Sequence, residues 1–167
     1  LNKKVNKKLF NQFENIVDVG TLEHVFDTHL ALENYIQMLK KGGHLLIAVP
    51  CSNMIDHGFY TFSPTLFYDY FTSNNFKILG CYLRESSPFM YEYKSNIYEY
   101  KKLGSEIPFI SDRAVEFIVL AKKIKNVRKI NKPVQSVYLN KKGWKKKKIN
   151  LNSKLIKPNF FSIKKII

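Results

Sequence analysis

The first 123 residues alternate between short apolar runs and stretches in which apolar residues recur every three or four positions. Two of the apolar runs lie at residues 15–20 and 44–50. The first run ends at a glycine, and the second is almost continuously apolar, which is typical of strands buried on both faces of a parallel sheet. We therefore predict a β-strand at each run.

An amphipathic helix is predicted between these two strands. Asp27 is placed to cap its N-terminus, and Gly42 and Gly43 are placed to end it. The apolar side chains that fall on one face of this helix are Leu32, Tyr35, Ile36 and Leu39. A strand, a helix and a second strand within about 35 residues indicate a βαβ unit, in which the two strands run parallel.

The same patterning predicts a second helix and two more strands. Ser63 followed by Pro64 is typical of a helix N-cap and first turn, so we expect a helix from there to about residue 73. The remaining predictions are a third strand at 76–84, a fourth at 114–121, a loop or short irregular helix at 85–112, and a short helix within 1–14. Strands and helices in this order predict an α/β protein.

Positive charge is concentrated at the C-terminal end of the chain, whose formal net charge is +15. Residues 1–121 carry 12 Lys/Arg against 13 Asp/Glu, a net of −1, whereas residues 122–167 carry 16 Lys/Arg and no acid. A nearly neutral domain argues against a nucleic-acid-binding core. We therefore expect a folded domain at 1–124 and a Lys-rich, poorly ordered extension at 125–167.

Two further classes of protein are disfavoured. No segment approaches the roughly 18 consecutive apolar residues that a membrane span needs, and no charged stretch leads into an apolar secretory core. Cys51 and Cys81 lack the spacing of a metal site, and they favour reduced core residues of a cytoplasmic protein over a disulfide.

A ligand site is predicted where the first two strands end, because ligands of open parallel sheets bind beyond the carboxyl ends of the strands. This rule selects the loops at residues 20–27 and 51–60, which adjacent parallel strands place side by side. The polar side chains that these loops bring are Glu23, His24, Asn53, Asp56, His57 and Tyr60.

Structural roles for the same residues stay open at this point. Glu23 and His24 are also compatible with a solvated acid and a half-exposed imidazole ahead of a helix, and His57 with a turn residue. Cap or structural roles are expected for Asp27, His29 and His44.

Residues 13–50, FENIVDVGTLEHVFDTHLALENYIQMLKKGGHLLIAVP, resemble the second half of class I S-adenosylmethionine-dependent methyltransferases. In that family a strand ends in a loop often written LEHV, a helix follows, and a Lys-Gly-Gly turn leads into the next strand. Residues 57–71, HGFYTFSPTLFYDYF, resemble a substrate-side loop and helix of some bacterial members. The similarity extends over about residues 13–123, and the order and spacing of the motifs agree throughout.

The resemblance implies the last four strands of a Rossmann-like sheet, with the final strand antiparallel. It also implies methyl transfer from S-adenosylmethionine to a small-molecule or saccharide-type acceptor. The backbone of Gly20, Thr21 and Leu22 would line the methionine end of the cofactor. The catalytic candidates would be Glu23, His24 and His57, with an imidazole as general base. The acceptor contacts would be Asn53, His57, Phe59 and Tyr60.

A metal site is not expected from this resemblance. Some ubiquinone-pathway O-methyltransferases with a similar LEHV loop bind a metal through its Glu and His and a further acid. In this chain the position three residues before Glu23 is Gly20, which has no carboxylate.

The resemblance covers only half of the family's fold. The chain has no G-x-G motif, and about 14 residues precede the first strand, so three strands and the residues that hold the ribose are missing. The chain begins at Leu1 rather than at a methionine, and we expect either a truncated or a degenerate methyltransferase. An apolar strand with one unpaired edge predicts poor solubility or pairing with another chain.

Two other functions are considered. One is an inactive methyltransferase remnant. The other is a binding module whose Lys-rich tail, with Trp144, Phe160 and Phe161, engages nucleic acid or anionic lipid. The simpler interpretation of the tail is a solvated extension.

Overall fold

The computed structural model describes residues 1–86, 95–102 and 109–139, and the backbone of residues 163–165. The strands are β1 (Phe13–Val19), β2 (Leu39–Ser52), β3 (Phe76–Glu85), β4 (Asn96–Tyr100), β5 (Val115–Lys123) and β6 (Ile163–Lys165). The helices are α1 (Thr28–Met38), α2 (Pro64–Ser73) and α3 (Ser136–Leu139), with 3₁₀ turns at Lys7–Leu9 and Leu22–His24. The chain is therefore an α/β protein, as its patterning predicts.

The strands form one mixed sheet in the order β1-β2-β5-β3-β4-β6. β1 and β2 are parallel and α1 connects them, which confirms the predicted βαβ unit. β5 lies between β2 and β3 and runs antiparallel to both. This arrangement leaves the carboxyl ends of β1 and β2 at the same edge of the sheet.

The hydrophobic core lies on the face of the sheet that α1 and α2 cover. Phe67 of α2 lies 5.8 Å from Phe117 of β5 and 5.5 Å from Phe62, measured between ring centroids. Burial of each such ring stabilises the fold by about 1.5–3 kcal/mol. The fully buried apolar side chains include Ile36, Leu39, Leu45, Ile47, Phe67, Phe71, Phe117 and Val119.

Both predicted helix N-caps are confirmed. The Asp27 carboxylate accepts a hydrogen bond from the Leu30 N–H at 3.0 Å, and the Ser63 hydroxyl accepts one from the Thr65 N–H at 3.4 Å. Each bond satisfies a backbone donor that the first turn of a helix leaves unpaired.

Three local predictions are wrong. The first is the C-cap at Gly42 and Gly43, since α1 ends at Met38 and both glycines lie inside β2. The reason is that the segment ahead of β1 pairs with the end of the helix: the Gln12 N–H donates to the Met38 carbonyl at 2.9 Å, and Phe13 pairs with Leu39. The chain is thus extended from Leu39 onward.

The second error is the short helix within residues 1–14, where the structure has only the 3₁₀ turn Lys7–Leu9 before β1. The third is the loop at 85–112, which contains β4. Tertiary pairing with β3 explains β4, because its half-buried residues show too little alternation to predict a strand. The rest of that loop, residues 87–94 and 103–108, lies outside the described residues.

The described start of the extension packs on the domain. Val127 and Ile130 contact the core, and the Asn131 N–H donates to the Asn74 side chain at 2.8 Å. The predicted disorder of 125–167, and the tail aromatics, concern mostly residues that lie outside the described part of the chain. Among the described helices, none has the length and apolar character to cross a bilayer.

Candidate functional site

The loops at residues 20–27 and 51–60 meet at the carboxyl ends of β1 and β2. The Phe59 N–H donates to the Glu23 carbonyl at 2.7 Å, and the Tyr60 hydroxyl donates to the Phe26 carbonyl at 2.9 Å. The first bond joins two main-chain groups and the second joins a side-chain hydroxyl to a main-chain carbonyl, so both tie the second loop to the main chain of the first.

Glu23 is the buried centre of this junction. It lies in the Leu22–His24 turn, and its neighbour Leu22 is anchored in the hydrophobic core. Its side chain is almost fully buried, yet within the described part of the chain neither carboxylate oxygen accepts a hydrogen bond. Burial of an unsatisfied carboxylate costs free energy, so this side chain requires a compensating partner.

The neighbouring carboxylate, Asp18, shows the ordinary arrangement. It is also buried, but it accepts hydrogen bonds from the Tyr35 hydroxyl at 2.7 Å and from the Thr21 N–H at 3.0 Å. Burial and the adjacent Asp18 raise the pKa of the Tyr35 phenol far above its usual range, so the hydroxyl stays protonated and donates. Asp18 therefore has hydrogen-bond partners for its buried carboxylate, whereas Glu23 has none among the described residues.

Two half-exposed histidines lie over Glu23. The Oε1 atom of Glu23 is 3.5 Å from Nε2 of His57 and 3.9 Å from Nε2 of His24. The two imidazole rings are 5.2 Å apart. The structure thus brings together Glu23, His24 and His57. The carboxylate is buried, and the two imidazoles are partly exposed to solvent.

A cavity adjoins His57, and an exposed aromatic pair lies on the same two loops. The cavity has a volume of about 380 Å³ and is lined by residues 51–61, including His57. Phe59 and Phe26 are both exposed and pack edge to face at 5.9 Å. A volume of this size falls within the roughly 300–1,000 Å³ of small-molecule pockets.

Asn53, Gly20 and Thr21, which were also predicted at the site, have hydrogen-bond partners within the chain. The Asn53 amide donates to the carbonyls of Ser111 at 2.5 Å and Arg113 at 2.9 Å, so it ties the second loop to the segment before β5. The N–H groups of Gly20 and Thr21 donate to the Ala48 carbonyl and to Asp18, each at 3.0 Å. The predicted roles of these residues toward a cofactor or acceptor stay predictions.

Two features of the junction were not predicted. Phe26 carried no sequence signal beyond being an apolar residue in a polar loop. Asp18 could have been found, since it is the one acid within the first apolar run. His29 is 3.2 Å from Glu33 on α1, and His44 lies in the N-terminal half of β2, so both are outside the junction.

Comparison with protein-family models, with curated protein sequences and with solved structures found no match for this chain.

Proposed function

We propose that this chain is part of an S-adenosylmethionine-dependent methyltransferase and forms the side of the pocket that binds a small-molecule or saccharide-type acceptor. The observation that carries the proposal is the junction of Glu23, His24 and His57 at the carboxyl ends of two parallel strands. The antiparallel direction of β5 is also the one that the resemblance implies for its final strand.

The residues of this chain fit only a small part of the cofactor. The N–H groups of Gly20 and Thr21 already donate hydrogen bonds within the chain, and the Thr21 carbonyl accepts one from the His24 N–H at 3.0 Å. These groups are therefore already engaged by partners in this chain. The family's glycine-rich turn does not occur in the 167 residues. The proposal therefore assigns binding and deprotonation of the methyl acceptor to this chain. It assigns binding of the cofactor's nucleoside to residues outside this chain.

The chemistry assigned to the junction is proton removal from the acceptor. When bound, S-adenosylmethionine supplies an electrophilic methyl group. His57 takes the proton of an acceptor hydroxyl on a ring nitrogen, and the resulting imidazolium is stabilised by the Glu23 carboxylate beneath it. His24 lies near the same carboxylate and is the second candidate for this role.

The test compares methyl transfer by the full chain with transfer by two histidine variants. Radiolabelled S-adenosylmethionine is incubated with a panel of small phenols, alcohols and saccharides. His57→Asn is expected to lose about 10²–10⁴-fold in rate, the usual contribution of a general base. His29→Asn is the matched control, because His29 also pairs with a glutamate but lies on α1, and it is expected to keep the full rate.

Calorimetric titration with S-adenosylmethionine distinguishes the enzyme from an inactive remnant. A saturable heat supports the enzyme. Because the proposal leaves most contacts to the nucleoside to residues outside this chain, the cofactor is supplied in large excess. Absence of turnover with every acceptor under these conditions would overturn the proposal and leave the remnant as the description of this chain.

We further propose that the free edge of β1 pairs with another chain, and that the protein is cytoplasmic. Among the described strands β1 pairs only with β2. Cys51 and Cys81 are free thiols, as expected for a reducing compartment. Burial raises their pKa values to about 11 and about 12, so both thiols are protonated at neutral pH.

A further inference from the structure

The unsatisfied carboxylate of Glu23 requires an explanation that does not depend on methyl transfer. A buried acid with no hydrogen-bond donor is rare in folded proteins, and two imidazole nitrogens lie within 4 Å of it. We infer that Glu23, His24 and His57 form a binding site for a divalent transition-metal ion of the Zn²⁺ class.

The distances between the donor atoms fit this ligand. One donor atom from each of the three residues lies within 4.8 Å of the other two. With donor–metal bonds of about 2.0–2.2 Å, two donors of a tetrahedral zinc site lie roughly 3.3–3.6 Å apart. The observed Glu23–His57 distance of 3.5 Å is already in that range, and the Glu23–His24 distance of 3.9 Å is close to it. The two imidazoles are half-exposed, so binding an ion would require them to rotate until their donor atoms, now within 4.8 Å of each other, reach the same range.

The kind of donor selects the ion. Two imidazole nitrogens and one carboxylate oxygen suit Zn²⁺, Co²⁺, Ni²⁺ or Fe²⁺, whereas Ca²⁺ and Mg²⁺ prefer sites made of oxygen. Three protein ligands leave a further coordination position for water or for a substrate atom. That position would face the cavity that residues 51–61 line, since His57 belongs to its wall.

The three ligands come from two loops that the fold holds together. Glu23 and His24 lie in the turn after β1, and His57 lies in the loop after β2. The backbone bond from Phe59 to Glu23 fixes the two loops at the site itself. The third ligand is thus supplied by the second loop and not by the position of Gly20, which explains why the sequence of the first loop alone predicted no metal.

The experiment titrates the full chain, first stripped of metal with EDTA, with ZnCl₂ in a calorimeter and with Co²⁺ in an absorbance cell. We expect one ion per chain and visible absorption bands of a low-coordinate Co²⁺ complex. Mg²⁺ is expected to give no saturable signal. The nitrogen NMR signals of His24 and His57 should shift with Zn²⁺ in the unmodified chain, which tests the site without any substitution.

Three variants then identify the ligands. Glu23→Gln, His24→Asn and His57→Asn are each expected to weaken Zn²⁺ binding at least about tenfold, the lower end of what even outer-shell substitutions cost. His29→Asn should bind as the unmodified chain does. Circular dichroism checks that each variant is folded. Equal Zn²⁺ affinity in the unmodified chain and in Glu23→Gln, or no saturable binding at all, would overturn the inference and leave a histidine–carboxylate contact without a metal.

The metal site and the proposed methyl transfer can be refuted independently of each other. Zn²⁺ binding is measured without cofactor or acceptor. A proton and a metal ion compete for the same imidazole nitrogens, so EDTA should maintain or raise turnover by an imidazole base and should abolish turnover that uses the ion.

Discussion

At the scale of single residues, Gly58 determines how closely the two loops of the site approach each other. Its φ angle is +82°, and a Cβ atom at this position would lie 2.8 Å from the Glu23 carbonyl oxygen and 3.1 Å from Glu23 Cγ. A left-handed backbone costs a non-glycine residue about 1–2 kcal/mol. The clash with Glu23 adds to that cost, because the nearest atoms include the carbonyl carbon and oxygen of Glu23, which cannot move independently of the main chain.

We therefore predict that Gly58→Ala is more destabilising than Gly42→Ala. Gly42 has a φ angle of +85° but nothing within 4 Å of its added Cβ, so it isolates the backbone cost. Urea unfolding should show a loss of about 1–2 kcal/mol for Gly42→Ala and a larger loss for Gly58→Ala. Gly58→Ala should also weaken Zn²⁺ binding, since it separates His57 from Glu23. Equal losses in the two variants would show that the loops do not depend on this contact.

The site residues were predictable to different degrees. The parallel pairing of β1 and β2 was enough to place His57 next to Glu23, because parallel strands end at the same edge of a sheet. The tether from Asn53 to Ser111 and Arg113 was not predictable, since it joins positions about 60 residues apart through main-chain oxygens. The burial of Glu23 was equally hidden, because nothing in its local sequence distinguishes it from a solvated acid.

At the scale of elements, the strands and helices with strong patterning were predicted and those that depend on tertiary contacts were not. α2 begins at Pro64 as its cap signal predicts. β5 extends two residues beyond its apolar run because Lys123 is buried and donates to the Ile36 and Leu39 carbonyls at the end of α1. Lysine is seldom buried, so the sequence alone does not predict that Lys123 lies next to the end of a helix.

The hairpin of β3 and β4 contains the acid whose titration we expect to be visible in stability. Glu85 ends β3, and its carboxylate accepts hydrogen bonds from the Asn96 amide at 3.1 Å and the Tyr98 hydroxyl at 3.0 Å. Burial opposes ionisation, but hydrogen bonds from Ser111, Asn96 and Tyr98 outweigh it and lower the pKa of Glu85. The ionised form is therefore favoured in the folded chain.

The lowered pKa predicts a loss of stability in acid. A carboxyl whose pKa is lower in the folded state stabilises the fold above its unfolded pKa, about 4.3 for glutamate. This contribution disappears as the pH falls through the folded pKa. Urea unfolding between pH 6 and about pH 3 should show a smaller pH-dependent loss in Glu85→Gln than in the unmodified chain. Glu99→Gln on β4 is the control, because within the described residues the partner of Glu99 is the exposed Lys101, and an identical acid response of all three proteins would contradict the prediction.

At the scale of the whole molecule, the sheet is covered unequally on its two faces. α1 and α2 cover one face. On the other, cross-strand pairs form two apolar rows, Val17–Leu46–Leu120 and Val19–Ala48–Ile118. The β1 end of these rows is open to solvent: Val17 and Val19 are 64% and 65% exposed. This end is also the sheet edge at which β1 has no second partner among the described strands.

An unpaired strand edge beside exposed valines favours association with another β-strand, and a second copy of the chain is the partner always present in a purified sample. We predict that sedimentation velocity shows association that increases with protein concentration. Val17→Lys combined with Val19→Lys should abolish it, because lysines on an edge strand oppose pairing, while substitution at such exposed positions changes stability by only about 0.5 kcal/mol. Leu79→Lys, an exposed apolar position on β3, is the control and should associate like the unmodified chain. A monomer at every concentration would mean that the edge of β1 stays unpaired in solution, and the proposed pairing with another chain would then fail.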